Sequence, residues 1–309
     1  MATPQSRVAA QTAAANSAAL TELHGALHGS SDKVFGISPQ GNSSGISTVP
    51  QLESALAHPI EVVNVFVGWG ETFPTTSVNA IVQAGAVPEL SFEPWNYTKG
   101  VNQPAFSDSV IASGTYDAYL TQFAQGVAAW HGELLFRYAH EMNGNWYPWA
   151  ASVNGNTPAA YIAAWRHVHQ IFSNAGATNA LWVWCPNAGG PTPVASVFPG
   201  ASYVNVVGMD GYNWGTTSTT NGGWRSPSQI FSGLLSTVRS VGPGLPILLN
   251  ETGSAEAGGS KATWLNQLFS FVEGQSGLAG VVYSNFGSLW PLTTSSSALA
   301  AAKVSLSTY

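Results

Sequence analysis

The feature that most constrains this chain is a rhythm of eight short apolar runs separated by longer amphipathic stretches. The runs are Lys33–Ser38, Val62–Val67, Val87–Phe92, Glu133–Tyr138, Ala180–Trp184, Val204–Met209, Pro246–Leu249 and Gly280–Tyr283. Between and after them, helical periodicity marks Val49–Ala57, Ser77–Gly85, Tyr116–Trp130, Pro158–Ser173, Pro227–Val241, Ser260–Glu273 and Ser297–Leu306. The fifth-to-sixth connection carries only a weak helical signal near Val194–Phe198. Runs that are apolar throughout, rather than alternating, suit strands covered on both faces, as in parallel sheets. Eight such units predict a single (β/α)8 TIM barrel, and 309 residues fit that size. A doubly wound open sheet is the competing architecture. It calls for a glycine-rich phosphate turn after an early strand, and none is present. Gly85 and Gly176 stand where helices stop, as C-terminal caps require.

Residues 33–309 are therefore assigned to the barrel, and residues 1–32 to an Ala-rich N-terminal extension. Leu20, Leu23 and Leu27 give that extension a helical spacing, so it reads as a short helix or a loosely docked, flexible tail. His24 and His28 could share a helix face, but with no acidic third ligand beside them on that face they read as surface histidines.

Charge narrows the partners. The net charge is −6 with nine Lys plus Arg and no basic cluster, which argues against nucleic acid and anionic membrane. No apolar run approaches the roughly 20 residues that span a bilayer. Only 8% of residues are charged, so the polar surface comes from Ser, Thr, Asn, Gln and Gly. That composition suggests a secreted hydrolase; no signal peptide is visible after Met1, so either one has been removed or the protein is cytoplasmic, and the first reading is favoured. The single Cys185 excludes an internal disulfide, and no Cys/His spacing resembles a zinc site. No metal or organic cofactor is implied, and a monomer is expected.

In barrels of this kind the site lies where strands run into βα loops. There the chain places its unusual residues: Trp69 and Glu71 after the second run, Glu93 and Trp95 after the third, and Arg137, His140 and Glu141 at the fourth. The fifth ends at Trp184 and Asn187, the sixth at Asp210, Tyr212 and Trp214, and the seventh at Glu251. Seven of the twelve tryptophans (Trp69, Trp95, Trp146, Trp149, Trp214, Trp224 and Trp290) fall in such loops. Flat aromatic faces with sparse polar groups suit the C–H faces of sugar rings, although each tryptophan could equally seal a loop. Cleavage of a glycosidic bond needs two carboxyl groups, one protonated and one ionised. Glu141 and Glu251 stand out as that pair, each where an apolar strand gives way to a loop. Arg137 shares a strand face with Glu141 by alternation and can supply a positive field, a salt bridge at the barrel mouth being the plainer role. Glu89 and Glu93 face alike by the same rule. Cys185 reads as a buried inert thiol, and His131, His167 and His169 as structural residues of helical segments. Asn96-Tyr97-Thr98 and Asn250-Glu251-Thr252 match glycosylation sequons, the second at a place that should be inaccessible.

The segment from Arg137 to Trp149 (RYAHEMNGNWYPW) resembles the acid/base segment of glycoside hydrolase family 26, with His140 standing where related families carry Asn. Trp182–Asn187, Gly208–Gly215 and Glu251–Glu256 match the same family in order, and the likeness extends over about residues 34–290. It implies a retaining, endo-acting β-glycanase, most often a β-1,4-mannanase, with polysaccharide as its partner. A mixed-linkage β-1,3-1,4-glucanase or β-1,3-xylanase of the same family is the alternative, and a non-catalytic carbohydrate-binding barrel a remote one. Glu141 would be acid/base and Glu251 nucleophile, with Tyr212 hydrogen-bonded to the nucleophile. Arg137, His140 and Asp210 would orient carboxylates and sugar. Sugar contacts are expected from Trp69, Glu93, Trp95, Trp146, Trp149, Trp184, Trp214 and Tyr283. The eighth strand departs from the family pattern. Where a platform tryptophan is usual, this chain has Val281-Val282-Tyr283-Ser284-Asn285-Phe286. Tyr283 is expected to take the position, unless Trp290 reaches back from the loop.

Overall fold

The computed structural model describes residues 17–309. The first half of the Ala-rich extension lies outside the described residues. Eight parallel strands close into a barrel in sequence order: β1 (Val34–Pro39), β2 (Val62–Gly68), β3 (Val87–Glu93), β4 (Leu134–Tyr138), β5 (Ala180–Trp184), β6 (Val206–Asn213), β7 (Ile247–Ser254) and β8 (Leu278–Asn285). The last strand pairs back onto the first, Val34 with Gly280 through Pro39 with Asn285. Around them run α1 (residues 17–27), α2 (Val49–Leu56), α3 (Thr75–Gln83), α4 (Asp108–Ala112), α5 (Asp117–Trp130), α6 (Pro158–Asn174), α7 (Pro227–Val241), α8 (Lys261–Glu273) and α9 (Ser296–Leu306).

Local chemistry explains the helix starts. At α7, Ser226 accepts from Gln229 N while the Gln229 side chain accepts from Ser226 N, and Pro227 occupies the first turn, where its missing N–H costs nothing. At α6 Thr157 Oγ1 accepts from Ala160 N and Pro158 occupies the first turn, without the reciprocal bond. The weak signal between β5 and β6 is met by two short 3-10 turns, Val194–Val197 and Ala201–Tyr203.

One expectation changes and one is narrowed. Strands β6, β7 and β8 continue past the points where polarity begins, so Asp210, Tyr212 and Glu251 lie inside strands and not in loops. The barrel interior is polar at that level, and hydrogen bonding to neighbouring strands continues through it. The N-terminal segment, read as a helix or a loose tail, is over residues 17–27 a firmly docked helix. Ala19, Leu23 and Ala26 sit on one face of α1 and pack against Val34, Val62, Val87, Leu135, Val206 and Leu248, near the strand starts. Leu23 is fully buried there, worth about 1.5–3 kcal/mol. His24, on the same helix, contacts Glu133 at 2.7 Å just before β4. Helix α1 is the floor of the barrel, and the cleft opens at the other end. Among the described residues, no helix is long and apolar enough to cross a membrane.

Candidate active site

A hydrogen-bonded belt crosses the barrel interior, and nearly every strand contributes to it. Asn64 of β2 donates to Ser38 Oγ of β1 at 2.9 Å, Ser91 of β3 donates to Asn64 Oδ1 at 2.6 Å, and Arg137 Nε of β4 donates to Ser91 Oγ at 2.9 Å. The Arg137 guanidinium then reaches Asp210 Oδ2 of β6 at 2.9 Å and Glu251 Oε1 of β7. Cys185, just past β5, donates its thiol to Asp210 Oδ1 at 3.0 Å. Tyr212 closes the belt, donating to Glu251 Oε2 at 2.6 Å with Ser284 of β8 at 2.8 Å from its hydroxyl. Arg137 has no exposed surface. Burial alone would lower its pKa, but Glu251 and Asp210 reverse that and hold it well above its usual value. His140, Asp210 and Glu251 place donor atoms within 4.8 Å of one another, a spacing that could hold a cation. Arg137 already supplies the positive charge between the two carboxylates.

Glu141 reaches this belt from a strained backbone. Beyond Tyr138 the strand ends, and Ala139 and Glu141 take left-handed φ values of 45° and 53°. Non-glycine residues adopt that region at a cost of about 1–3 kcal/mol each, and they persist there only when neighbours over-determine them. Here Ala139 N donates to Phe92 O at 3.0 Å and Glu141 N to Cys185 O at 2.7 Å. The strain breaks the period-two alternation that placed Arg137 and Glu141 on one face, yet both carboxyl oxygens of Glu141 still find donors: Asn187 Nδ2 on Oε1 and Trp146 Nε1 on Oε2. Trp146 lies so close to the chain that a Cβ on Gly144 would fall 2.6 Å from its ring, which explains the glycine. Burial, and next the charge of Glu251, raise the Glu141 carboxyl to about 7, while the hydrogen bonds from Asn187 and Trp146 pull the other way. A carboxyl of this kind holds its proton near neutrality and can deliver it into the cleft.

The remaining polar residues line the approach. Burial raises Glu93 to about 7; its Oε2 accepts from Trp95 Nε1 at 3.1 Å, and its Oε1 lies 3.9 Å from His140 Nε2. His140 is fully buried between Glu93 and Glu251, and its pKa is pushed well down by burial and by Arg137, so the ring is neutral. Deeper, Glu89 accepts from Asn250 and is raised to about 7, chiefly by burial. On the Glu141 side a cavity of about 810 Å³ runs between Trp146, Trp214, Pro191 and Arg225. One of similar volume lies at the opposite end, beside His24 and Arg239, away from the paired carboxylates.

The structure thus brings together Arg137, His140, Glu141, Asp210, Tyr212 and Glu251, with Glu93, Trp95, Trp146 and Trp214 around them. Three expected sugar contacts are corrected. Trp149 is fully buried, stacked on Tyr147 at 4.2 Å with its Nε1 donating to His140 O. Trp184 is fully buried against Phe198 on the outer side of β5. Tyr283 has no exposed surface, and its hydroxyl donates to Trp290 O. Trp69, half-buried, spends its ring on Phe92, Tyr116 and Tyr119 at 5.2–5.4 Å. The sequence reading gave no task to Asn187, Ser91 or Ser284. Asn187 stands at a strand end like the other site residues, and that position was its available signal.

Comparison with known proteins agrees with this geometry. The model of glycosyl hydrolase family 26 matches residues 97–255, which include β4, Glu141, Asp210, Tyr212 and Glu251. Endoglucanase H of Acetivibrio thermocellus is 33% identical over 271 residues, covering 84% of this chain. A mannan endo-1,4-beta-mannosidase of Caldalkalibacillus mannanilyticus is 40% identical over 85 residues, covering 26% of this chain. The chain spans 29% and 16% of the lengths of those two relatives. In fold it is similar to a GH26 beta-mannanase from Bacteroides ovatus, with a TM-score of 0.66 at 19% identity over 95% of this chain and 92% of that one. With the barrel, the polar belt and the family match over its central half in agreement, the chain belongs to glycosyl hydrolase family 26.

Proposed function

We propose that this chain is a retaining, endo-acting glycanase that cleaves β-1,4-mannosidic bonds by double displacement. The observation that carries the mechanism is the unlike surroundings of two equally buried glutamates. Glu141, its carboxyl raised to about 7 and hydrogen-bonded by an amide and an indole, gives its proton to the glycosidic oxygen. Glu251, which accepts from Arg137 and Tyr212, attacks the anomeric carbon with a carboxylate oxygen as that bond breaks, and a glycosyl ester forms. The Glu141 carboxylate then takes a proton from water, whose oxygen displaces Glu251 and restores both groups. Arg137 and Asp210 hold the nucleophile, while Trp146 and Trp214 face the sugars. The mannanases among the relatives support mannan as substrate. The low charge and the lack of a basic cluster support action outside the cell on a neutral polysaccharide, away from anionic membranes and nucleic acid; the chain is proposed to act as a monomer.

A second substrate, mixed-linkage β-glucan, is favoured by one observation. The relative that matches most of the chain is an endoglucanase by name, although that name describes a protein more than three times the matched length. Incubation with mannan, barley β-glucan and β-1,3-xylan side by side decides between them, with the anomer released first read by NMR. Mannan cleaved to oligosaccharides with retained configuration is expected. Cleavage of β-glucan alone would establish the second substrate, and inverted product would remove Glu251 from the nucleophile's role.

A further inference from the structure

Lysine is almost never fully buried without an acidic partner. Lys261, in the first turn of α8, has no exposed surface, and its three ammonium N–H groups are shared among four acceptors, Leu289 O at 3.2 Å, Trp290 O at 2.7 Å, Pro291 O at 2.7 Å and Thr294 Oγ1 at 2.9 Å. The nearby acid, Glu256, is occupied by the hydroxyls of Thr294 and Ser295. Burial pulls the Lys261 pKa down to about 8, with Glu256 resisting, so the fold bears a real cost to keep this cation beneath one loop. Tyr283 Oη donates to the same Trp290 carbonyl at 2.9 Å. Three consecutive carbonyls are thus fixed, and the residue at their centre is the tryptophan nearest the nucleophile's partner. The Trp290 ring lies 4.8 Å from Tyr212 and 4.9 Å, edge-on, from Trp214. Gly253, two residues past Glu251, makes room for it: a Cβ there would stand 3.1 Å from Trp290 Cβ.

We propose that Lys261 is a positioning residue for the sugar site: with Tyr283 it clamps the 289–291 backbone so that Trp290, arriving from a loop and only 7% exposed, packs behind Tyr212 and Trp214 and holds those two rings at the cleft. The clamp rests on the glycosidase reading of Glu251 and acts through Trp290 and Tyr212, without touching the sugar.

The test combines kinetics with fluorine NMR of protein labelled with fluorotryptophan, the Trp290 resonance being identified by its loss in Trp290→Phe. Lys261→Met and, as the milder variant that keeps the ring, Tyr283→Phe are each expected to shift or broaden the Trp290 resonance and its Trp214 neighbour, leaving the others in place. Lys261→Met should lower kcat on polysaccharide roughly 10- to 100-fold, the scale of a small misplacement at a reacting centre. In a Trp290→Ala background the same substitution should cost nothing further. An unmoved Trp290 resonance in both variants, or a loss in kcat that persists in full without Trp290, overturns the clamp. A wild-type chain inactive on every glycan would overturn the functional reading instead, while the fluorine spectra decide the clamp independently.

Discussion

Glu141 and Glu251 are exposed to the same small degree, 6% each, yet almost everything else about them differs. Glu251 belongs to an extended strand, paired with Asp210 of β6 where the register shifts after Met209, the extra residue on β7 being Asn250. Glu141 sits past its strand in a left-handed conformation, held by carbonyls of β3 and the end of β5. The donors differ as well: a guanidinium and a phenol for Glu251, an amide and an indole for Glu141. At equal burial, partners of different charge surround two chemically identical side chains, and the roles proposed for them rest on that difference.

Substitutions can break that contrast. The largest effect is expected from Glu251→Ala, which should abolish hydrolysis of every substrate while the melting transition persists. Glu141→Ala should cost about 10²–10⁴-fold on polysaccharide, the range for losing a general acid. It should still turn over an aryl glycoside whose leaving group needs no proton, and mass spectrometry should then show the accumulated glycosyl ester. Ester formation by Glu251→Ala in place of Glu141→Ala would exchange the two roles. Tyr212→Phe removes a hydrogen bond to a carboxylate, worth about 1.5–3 kcal/mol, so kcat should fall roughly 10- to 100-fold with the Glu141 limb of the pH profile unmoved. The smallest effect concerns pH. The acid must carry its proton, so activity should decline as pH rises through about 7. Asn187→Ala, which deletes a donor favouring the charged form of Glu141, should carry that decline to higher pH; a move to lower pH would contradict the part assigned to the amide.

The sequence made the scaffold plain because burial on both faces writes strands as apolar runs. Ala180–Trp184 and Pro227–Val241 coincide with β5 and α7 at both ends, the latter fixed by the Ser226–Pro227 cap. The same logic misplaced the ends of β6 and β7. Apolar character stops at Met209 and Leu249, whereas strand pairing continues through Asp210 and Glu251 because the belt satisfies them inside the barrel. Aromatic residues were the least legible. Trp184 and Tyr283 end apolar runs much as site residues do, and only three-dimensional packing turns one outward against Phe198 and the other beneath Trp290. Asn187 meets Glu141 because β4 and β5 are neighbours, a proximity that their separation in the chain hides.

Helix α1 carries a lesson for protein engineering. A chain trimmed to begin at Lys33 would retain every group in the cleft. It would also uncover the apolar ring formed by Val34, Val62, Val87, Val206 and Leu248 at the base. An uncovered patch of that kind invites self-association. Such a truncate would pass any inspection of its active site and still be lost to aggregation, so the smallest working enzyme is set by the underside of the barrel and not by its mouth.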